Sequence, residues 1–298
     1  MKTEQFKLHQ IEQLTGVKSH TIRMWEIRYG IFKSNRTAGN VRYYSDEELK
    51  KILNTVILVN QGIKISAVAK MNNFEIAKKV ERLASSNNAF SNRDYFINLF
   101  IHSIINFNEQ TFNETFKTLV TQIGFHSTIV DVVYPLLNRL GLLWSQSIII
   151  PAHEHFASSI IRNKIIEATE NLPVSIQAFP LVGLALPPDE YHEISLLYCR
   201  YLLKLNNVPT IYLGQSVPYR NLIEVYIKKR LKYILLILTL SLDINKFETN
   251  IKSILRKCPR MIVLVGGNSR VLNSLNFIHQ RLKPIYSIEQ FLEFIGKI

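Results

Sequence analysis

The stretch from Thr15 to Ser45, TGVKSHTIRMWEIRYGIFKSNRTAGNVRYYS, constrains the fold of this chain more than any other. Leu8, Ile11 and Leu14 recur at helical spacing, Thr15-Gly16 interrupts the pattern, and Ser19 suits the N-cap of a second helix running to about Ile27. That is a helix, a turn and a helix, with Ile22 and Trp25 facing the core. After Tyr29-Gly30, Phe32 to Ser34 and Val41 to Tyr44 read as the arms of a small β-hairpin, with Arg36, Gly39 and Asn40 between them. A capping box, Ser45 with Glu48, opens an amphipathic helix through Leu49, Ile52, Leu53 and Val56 to Asn60, and Gly62 ends it.

In such a unit the second helix enters the major groove of DNA with its N-terminal residues foremost. Lys18, His20, Thr21 and Arg23 are then the residues that meet bases or phosphates, joined by Arg28, while Arg36, Arg42 and Tyr43 lie along the backbone. The partner this implies is double-stranded operator DNA. The strings TIRMWEIRYG and VRYYSDEEL, in this order of elements, resemble the MerR family of winged-helix transcription regulators over residues 6 to about 71.

A chain of 298 residues has room for two or three domains. Its first dozen residues are polar, unlike a signal peptide, and its longest apolar run, Tyr233 to Leu242, falls short of the ~20 residues that span a bilayer. The expectation is a cytoplasmic protein without a membrane partner. Cys199 and Cys258 form neither a disulfide framework nor a zinc site and read as buried thiols. The net charge of +13 is uneven: 12 Lys and Arg against 7 Asp and Glu over residues 1–75, 8 against 8 over 76–172, and 16 against 8 over 173–298. A basic head suits a polyanion. The basic tail, with Lys228, Lys229, Arg230 and Lys232, reads as a solvated surface.

A short helix is expected over Asn72 to Leu83, and Ser85-Ser86-Asn87-Asn88 reads as a linker. No long heptad helix follows, so assembly into a homo-oligomer, dimer or tetramer, must use other surfaces. Stripes through Tyr95-Leu99-Ile105, Phe112-Phe116-Leu119 and Val132 to Trp144 predict a bundle of four helices, with Pro151 opening the last, which runs to Asn171. Trp144 closes the third helix, and Glu154 and Ser158 share a face of the fourth. From residue types alone, a core tryptophan and a glutamate favoured by the helix dipole stand beside a ligand-binding reading. His153 and His155, two apart on a helix, point to different sides and cannot chelate one metal.

The string GLLWSQSIIIPAHEHFASSIIR resembles the helical cap of the B12-dependent light-sensing repressors of the CarH and LitR type. The resemblance implies that Trp144, Glu154 and His155 cover the upper face of adenosylcobalamin. In that family the dark, adenosylcobalamin-bound form assembles and represses.

From about Gln177 short apolar strands alternate with helices: strands at Pro180 to Leu186, Thr210 to Leu213, Tyr233 to Leu238, Met261 to Val265 and near Ile285, and a last helix from Ser287. This is a doubly wound, flavodoxin-like parallel sheet, which binds ligands beyond the C-terminal ends of its strands. Glu190-x-His192 in the first loop, followed by Gly266-Gly267 after the fourth strand, resembles the cobalamin-binding domain with the signature Asp/Glu-x-His-x-x-Gly, Ser-x-Leu or Ser-x-Thr, Gly-Gly. The resemblance implies that His192 ligates cobalt from below, that Glu190 holds its imidazole, and that Gly266 and Gly267 admit the nucleotide tail. Ser195 stands where the signature has glycine, Thr239-Leu240-Ser241 match the middle element loosely, and Ser145 stands where the light sensors carry a second, cobalt-capturing histidine.

The chain is thus expected to be multidomain: an α-helical winged helix-turn-helix over 1–75, a linker over 76–91, a helical cap over 92–172 and a cobalamin-binding Rossmann-like domain over 173–298. The function this implies is a transcription regulator, a repressor, whose oligomeric state and operator affinity follow a bound cobalamin. The alternatives are a MerR-type regulator with a degenerate sensor that takes no B12, and a corrinoid methyltransferase. Against the enzyme, there is no Gly-x-Ser-x-Gly, no Walker-type loop, no Gly-x-Gly-x-x-Gly and no cysteine cluster.

Overall fold

A computed structural model describes residues 5–36, 40–85, 93–173, 180–238 and 243–298, and the chain divides into two compact units, residues 1–157 and 158–298. The first unit opens with β1 (Phe6–Lys7), α1 (Leu8–Thr15) and α2 (Ser19–Tyr29). A hairpin of β2 (Asn35–Arg36) and β3 (Arg42–Tyr44) follows, then α3 (Asp46–Asn60), α4 (Ile65–Val68) and α5 (Asn73–Ser85). Ile11, Leu14, Ile22, Tyr44, Leu49 and Ile52 are fully buried and form the core that joins these pieces. Between α1 and α2 the chain reverses at Gly16, whose φ of +75° is open to glycine at little cost.

Several local expectations needed correcting. Ser19 is the first helical residue of α2 and Lys18 is the cap position, which makes no side-chain capping bond. The free amide of Ser19 is instead satisfied by the Glu12 carboxylate at 2.9 Å, brought from α1. Ser45 does cap α3, accepting from the Glu48 amide at 3.3 Å, but the Glu48 carboxylate turns to the Lys33 amide at 2.9 Å rather than closing the box. The hairpin gains a third strand, because β1 pairs antiparallel with β3. A two-residue strand is too short to leave a period in sequence, and neither it nor α4 was expected.

A helical bundle follows as α6 (Arg93–Ile105), α7 (Glu109–Ser127) and α8 (Tyr134–Ser145); α9 (Pro151–Glu170), expected as its fourth helix, starts in the first unit and runs on into the second. Phe100 and Phe112 meet across α6 and α7 with ring centroids 4.5 Å apart, among buried Ile101, Ile104, Leu119 and Leu140. A π-helical segment, Thr128–Val133, leads into α8, where Pro135 has no N–H for the helical ladder and the Tyr134 amide reaches back to the Ile129 carbonyl.

The second unit is a five-stranded parallel sheet. Its elements run β4 (Val182–Ala185), α10 (Ile194–Leu205), β5 (Thr210–Gly214), α11 (Tyr219–Lys229), β6 (Tyr233–Leu238), α12 (Ile244–Lys257), β7 (Ile262–Gly267), α13 (Ser269–Asn273), β8 (Leu282–Pro284) and α14 (Ile288–Ile295). The strand order β5-β4-β6-β7-β8 is the flavodoxin-like one, and strand order reverses at β4, so the binding crevice lies where β4 and β6 end. β4 and β6 are buried along their whole length, which is why they read as unbroken apolar runs in sequence. Ile234, Leu236, Val263 and Val265 form the core on one face with Phe247, Ile251 and Ile254 of α12. No helix among the described residues is long and apolar enough to cross a membrane.

Gly267 closes β7 at φ +125°, and a Cβ there would lie 2.1 Å from the Leu238 carbonyl oxygen. At Gly183 the atom met is only the end of the Leu231 side chain, at 2.9 Å. Gly267→Ala is therefore expected to cost about 3 kcal/mol or more and Gly183→Ala less than roughly 1.5 kcal/mol, measured by urea denaturation of the two variants.

Candidate functional site

The loop after β4 carries a buried acid. Glu190 is 3% exposed, and its Oε1 accepts from the amides of Tyr191 and His192, both at 2.9 Å, and from His192 Nδ1 at 2.7 Å. The loop after β5 holds this arrangement in place: Ser216 Oγ accepts from the Asp189 amide at 3.1 Å, the Ser216 amide donates to the Glu190 carbonyl at 3.0 Å, and Gln215 Nε2 donates to the Tyr191 carbonyl at 2.9 Å. Asp189 and Ser216 both adopt positive φ, +66° and +49°, and backbone strain in non-glycine residues concentrates at binding loops. Nδ1 of His192 faces Glu190, Nε2 is the ring nitrogen that Glu190 does not engage, and the side chain is 77% exposed. An exposed imidazole oriented by a buried carboxylate is the kind of nitrogen donor that a metal-containing cofactor takes.

Glu193, which the sequence did not single out, fixes the far end of the same loop. It is buried, accepts from the Tyr212 hydroxyl at 2.6 Å and pairs with Arg162. Burial, and then this bond to Glu193, raise the Tyr212 pKa, so the phenol remains a donor. Ser195 is half-buried in the first turn of α10. Gly266 is buried, and a Cβ there would press only on the end of the Ile237 side chain, 3.1 Å away, so packing within the sheet demands glycine at 267 and not at 266. Thr239 and Ser241 lie outside the described residues.

In the first unit, Trp144 is 55% exposed, which rules out a core tryptophan; Leu142 on the same helix and Ile150 after it are exposed as well. Ser145 donates to the Leu142 carbonyl at 2.8 Å. Glu154, half-buried in the first turn of α9, pairs with His155 at 3.1 Å, and His155 is exposed. His153, by contrast, is buried and stacked on Phe107 at 4.5 Å, so the two histidines do diverge. Among the described residues no group of three or more His, Cys, Asp or Glu could hold a metal ion by itself. Burial pushes the Cys199 thiol up to about 12 and the Cys258 thiol up to about 11, leaving both protonated.

In the head, Lys18, His20, Arg23 and Arg28 are exposed along α2, and Thr21 is half-exposed. Glu26 of α2 accepts from the Tyr44 hydroxyl at 2.9 Å, takes the Ser34 hydroxyl and faces Arg42 Nε at 3.7 Å. This joins the wing to the recognition helix. Arg42 is thus partly a structural residue, while Arg36, its partner across the hairpin, is exposed and Tyr43 half-exposed. A basic cleft of about 250 Å³ opens between β1, α2 and the wing, lined by Lys7, His9, Arg23, Asn40 and Arg42. Lys7 and His9 were not expected there, because the short strand that brings Lys7 to the wing was not legible.

Residues 6–74 match the model of the MerR HTH family of regulatory proteins, and residues 97–167 match that of a B12 binding domain. The chain is 24% identical over 273 residues to the HTH-type transcriptional repressor CarH of Myxococcus xanthus, covering 90% of each. It is 25% identical over 285 residues to the repressor CarA of the same organism, covering 95% of this chain and 90% of the relative. The monomethylamine corrinoid protein of Methanosarcina barkeri shares the fold, with a TM-score of 0.51 at 12% identity over 67% of this chain and 96% of that one. Head, bundle and sheet, with these matches, define a MerR-type DNA-binding regulator that carries a B12-binding module. Within that class the chain is similar over most of its length to the CarH and CarA repressors.

Glu12 makes the cap of α2 sensitive to acid. The hydroxyl and amide of Ser19 and the nearby Lys18 ammonium hold its carboxyl at about 2, below the ordinary 4.5. A depressed acid stabilises the fold above its unfolded value and loses that contribution as pH falls from about 4.5 toward about 2. The Ser19 amide resonance is expected to titrate near pH 2 in the wild type and not at all in Glu12→Gln.

Proposed function

We propose that this protein is a repressor whose grip on operator DNA is set by adenosylcobalamin ligated through His192 Nε2. The observation that carries the reading is the Glu190–His192 pair: a buried carboxylate fixes one ring nitrogen and leaves the other exposed at the mouth of the crevice. We assign the DNA-binding head to residues 1–75, the connection to 76–91, whose first ten residues are helical in α5 with Ile76 and Val80 buried rather than a free linker, the cap to 92–172 and the cobalamin-binding domain to 173–298.

The remaining roles divide by chemistry. Trp144 offers an exposed indole face that suits an adenosyl group, and Glu154 offers a carboxylate that accepts from ribose hydroxyls, with His155 beside it. Ser195, Gly266 and Gly267 line the groove of the nucleotide tail, with Thr239 and Ser241 assigned by the likeness alone. When bound, cobalamin would supply a cobalt ion able to take a nitrogen donor, and His192 would hold it there. Ser145 has a hydroxyl, already engaged at Leu142, where the light sensors have an imidazole, so α8 supplies no second nitrogen at that position. The CarH and CarA relatives are named as repressors, and we assign this chain no catalytic step.

Operator binding falls to Lys18, His20, Thr21 and Arg23 on α2, with Arg28, Arg36, Arg42 and Tyr43 toward the backbone. A second copy is needed for the paired half-sites of such heads, so the active species is a homo-oligomer.

Pure protein mixed with adenosylcobalamin in darkness is expected to retain visible absorbance through gel filtration. His192→Ala and Glu190→Gln should each weaken retention about 10- to 100-fold, since loss of a residue orienting a metal ligand typically costs that much. Wild-type retention by both variants would overturn the assignment, and failure of the wild type to bind any corrinoid would favour a sensor that takes no B12.

A further inference from the structure

Among the described residues of the first unit, polar contacts join the DNA-binding head to the bundle at α1 and at α3. On α8, Arg139 donates to the main-chain carbonyl of Leu14 and, at 3.2 Å, to Asn98 Oδ1 of α6. Leu14 is fully buried at the end of α1, one residue before Thr15-Gly16, so the guanidinium caps the helix that leads into the recognition turn. The second contact holds the start of α3: Asp46 accepts from Asn106 Nδ2 at 2.9 Å and faces His102 Nε2 at 3.2 Å.

The chemistry of the first contact makes it reversible. Burial lowers the Arg139 pKa, a mark of desolvation, and both groups that accept from it are neutral oxygens. A desolvated guanidinium bound to two dipoles gains little net energy over full hydration, unlike one locked against a buried carboxylate. The contact therefore holds while α8 is in register with α1, and an ångström-scale shift of α8 releases it. The same helix ends, five residues later, in the exposed Trp144.

We propose that Arg139 is the positioning residue that couples the ligand state of α8 to the recognition turn. It touches neither cobalamin nor DNA. It acts through the Leu14 carbonyl, which fixes the Gly16 turn and so the angle at which α2 is presented. This rests on the reading above, in which Trp144 meets the ligand.

The test is a binding cycle on full-length wild type, Arg139→Gln and Arg139→Lys, with a DNA ligand chosen by selection from a random duplex pool and adenosylcobalamin in darkness. DNA affinity is measured with and without cobalamin, and cobalamin affinity with and without DNA. Linkage requires the two ratios to be equal, and allosteric coupling of this kind is commonly about 5- to 150-fold. The wild type is expected to show at least about a fivefold ratio in both directions, Arg139→Gln a ratio within about twofold of unity, and Arg139→Lys an intermediate one, while cobalamin affinity without DNA stays unchanged. Hydrogen exchange at Gly16 to Thr21, read without cobalamin, should accelerate in Arg139→Gln alone. A wild-type coupling ratio in Arg139→Gln, or unchanged exchange at that turn, overturns the proposal. Absence of any coupling in the wild type refutes the regulatory reading itself, and the exchange measurement still decides whether Arg139 holds the turn.

Discussion

A carboxylate that is 3% exposed must collect donors or lose its charge, and Glu190 collects three on one oxygen. Everything distinctive about the sheet's rim follows from that requirement. Two of the donors are main-chain amides, so the loop must fold around the acid; the third is the ring nitrogen of His192, so the imidazole cannot turn. The strained φ of Asp189 and Ser216 is tolerated because bonds from the neighbouring loop hold both residues. The acid thus fixes the orientation of an exposed histidine, and it does so at the switch point where a parallel sheet binds its ligands.

The head relies on the same device in a different place. Glu26 gathers Tyr44, Ser34 and Arg42, and Glu12 gathers Ser19 and Lys18. Removing the charge from a DNA-binding face is costly in affinity. Glu12 and Glu26 are thus engaged in capping and bridging bonds while Lys18, His20, Arg23 and Arg28 stay exposed.

Much of this could be read from sequence where the cause is local. The buried strands showed as apolar runs because both faces of a parallel sheet are covered, Pro151 marked the start of α9, and Asp/Glu-x-His spacing located the loop pair. What escaped is tertiary in origin. The cap on α2 comes from Glu12 rather than from Ser19, and Glu193 looked like one more surface acid until Tyr212 and Arg162 closed on it. Arg139 reaches across 125 residues to Leu14. Spacing also could not decide whether Trp144 was core or surface, since a helix end offers both, and only its exposure settled that.

The central claim is that a protein imidazole, and not the cofactor's own base, holds the cobalt. Electron paramagnetic resonance of nitrogen-15-labelled protein, loaded with unlabelled cobalamin and reduced to the cobalt(II) form, tests it directly. Each component of the spectrum should split into two lines, the signature of a single axial nitrogen-15 from His192. Three-line splitting, from the nitrogen-14 of the cofactor's base, would contradict the account.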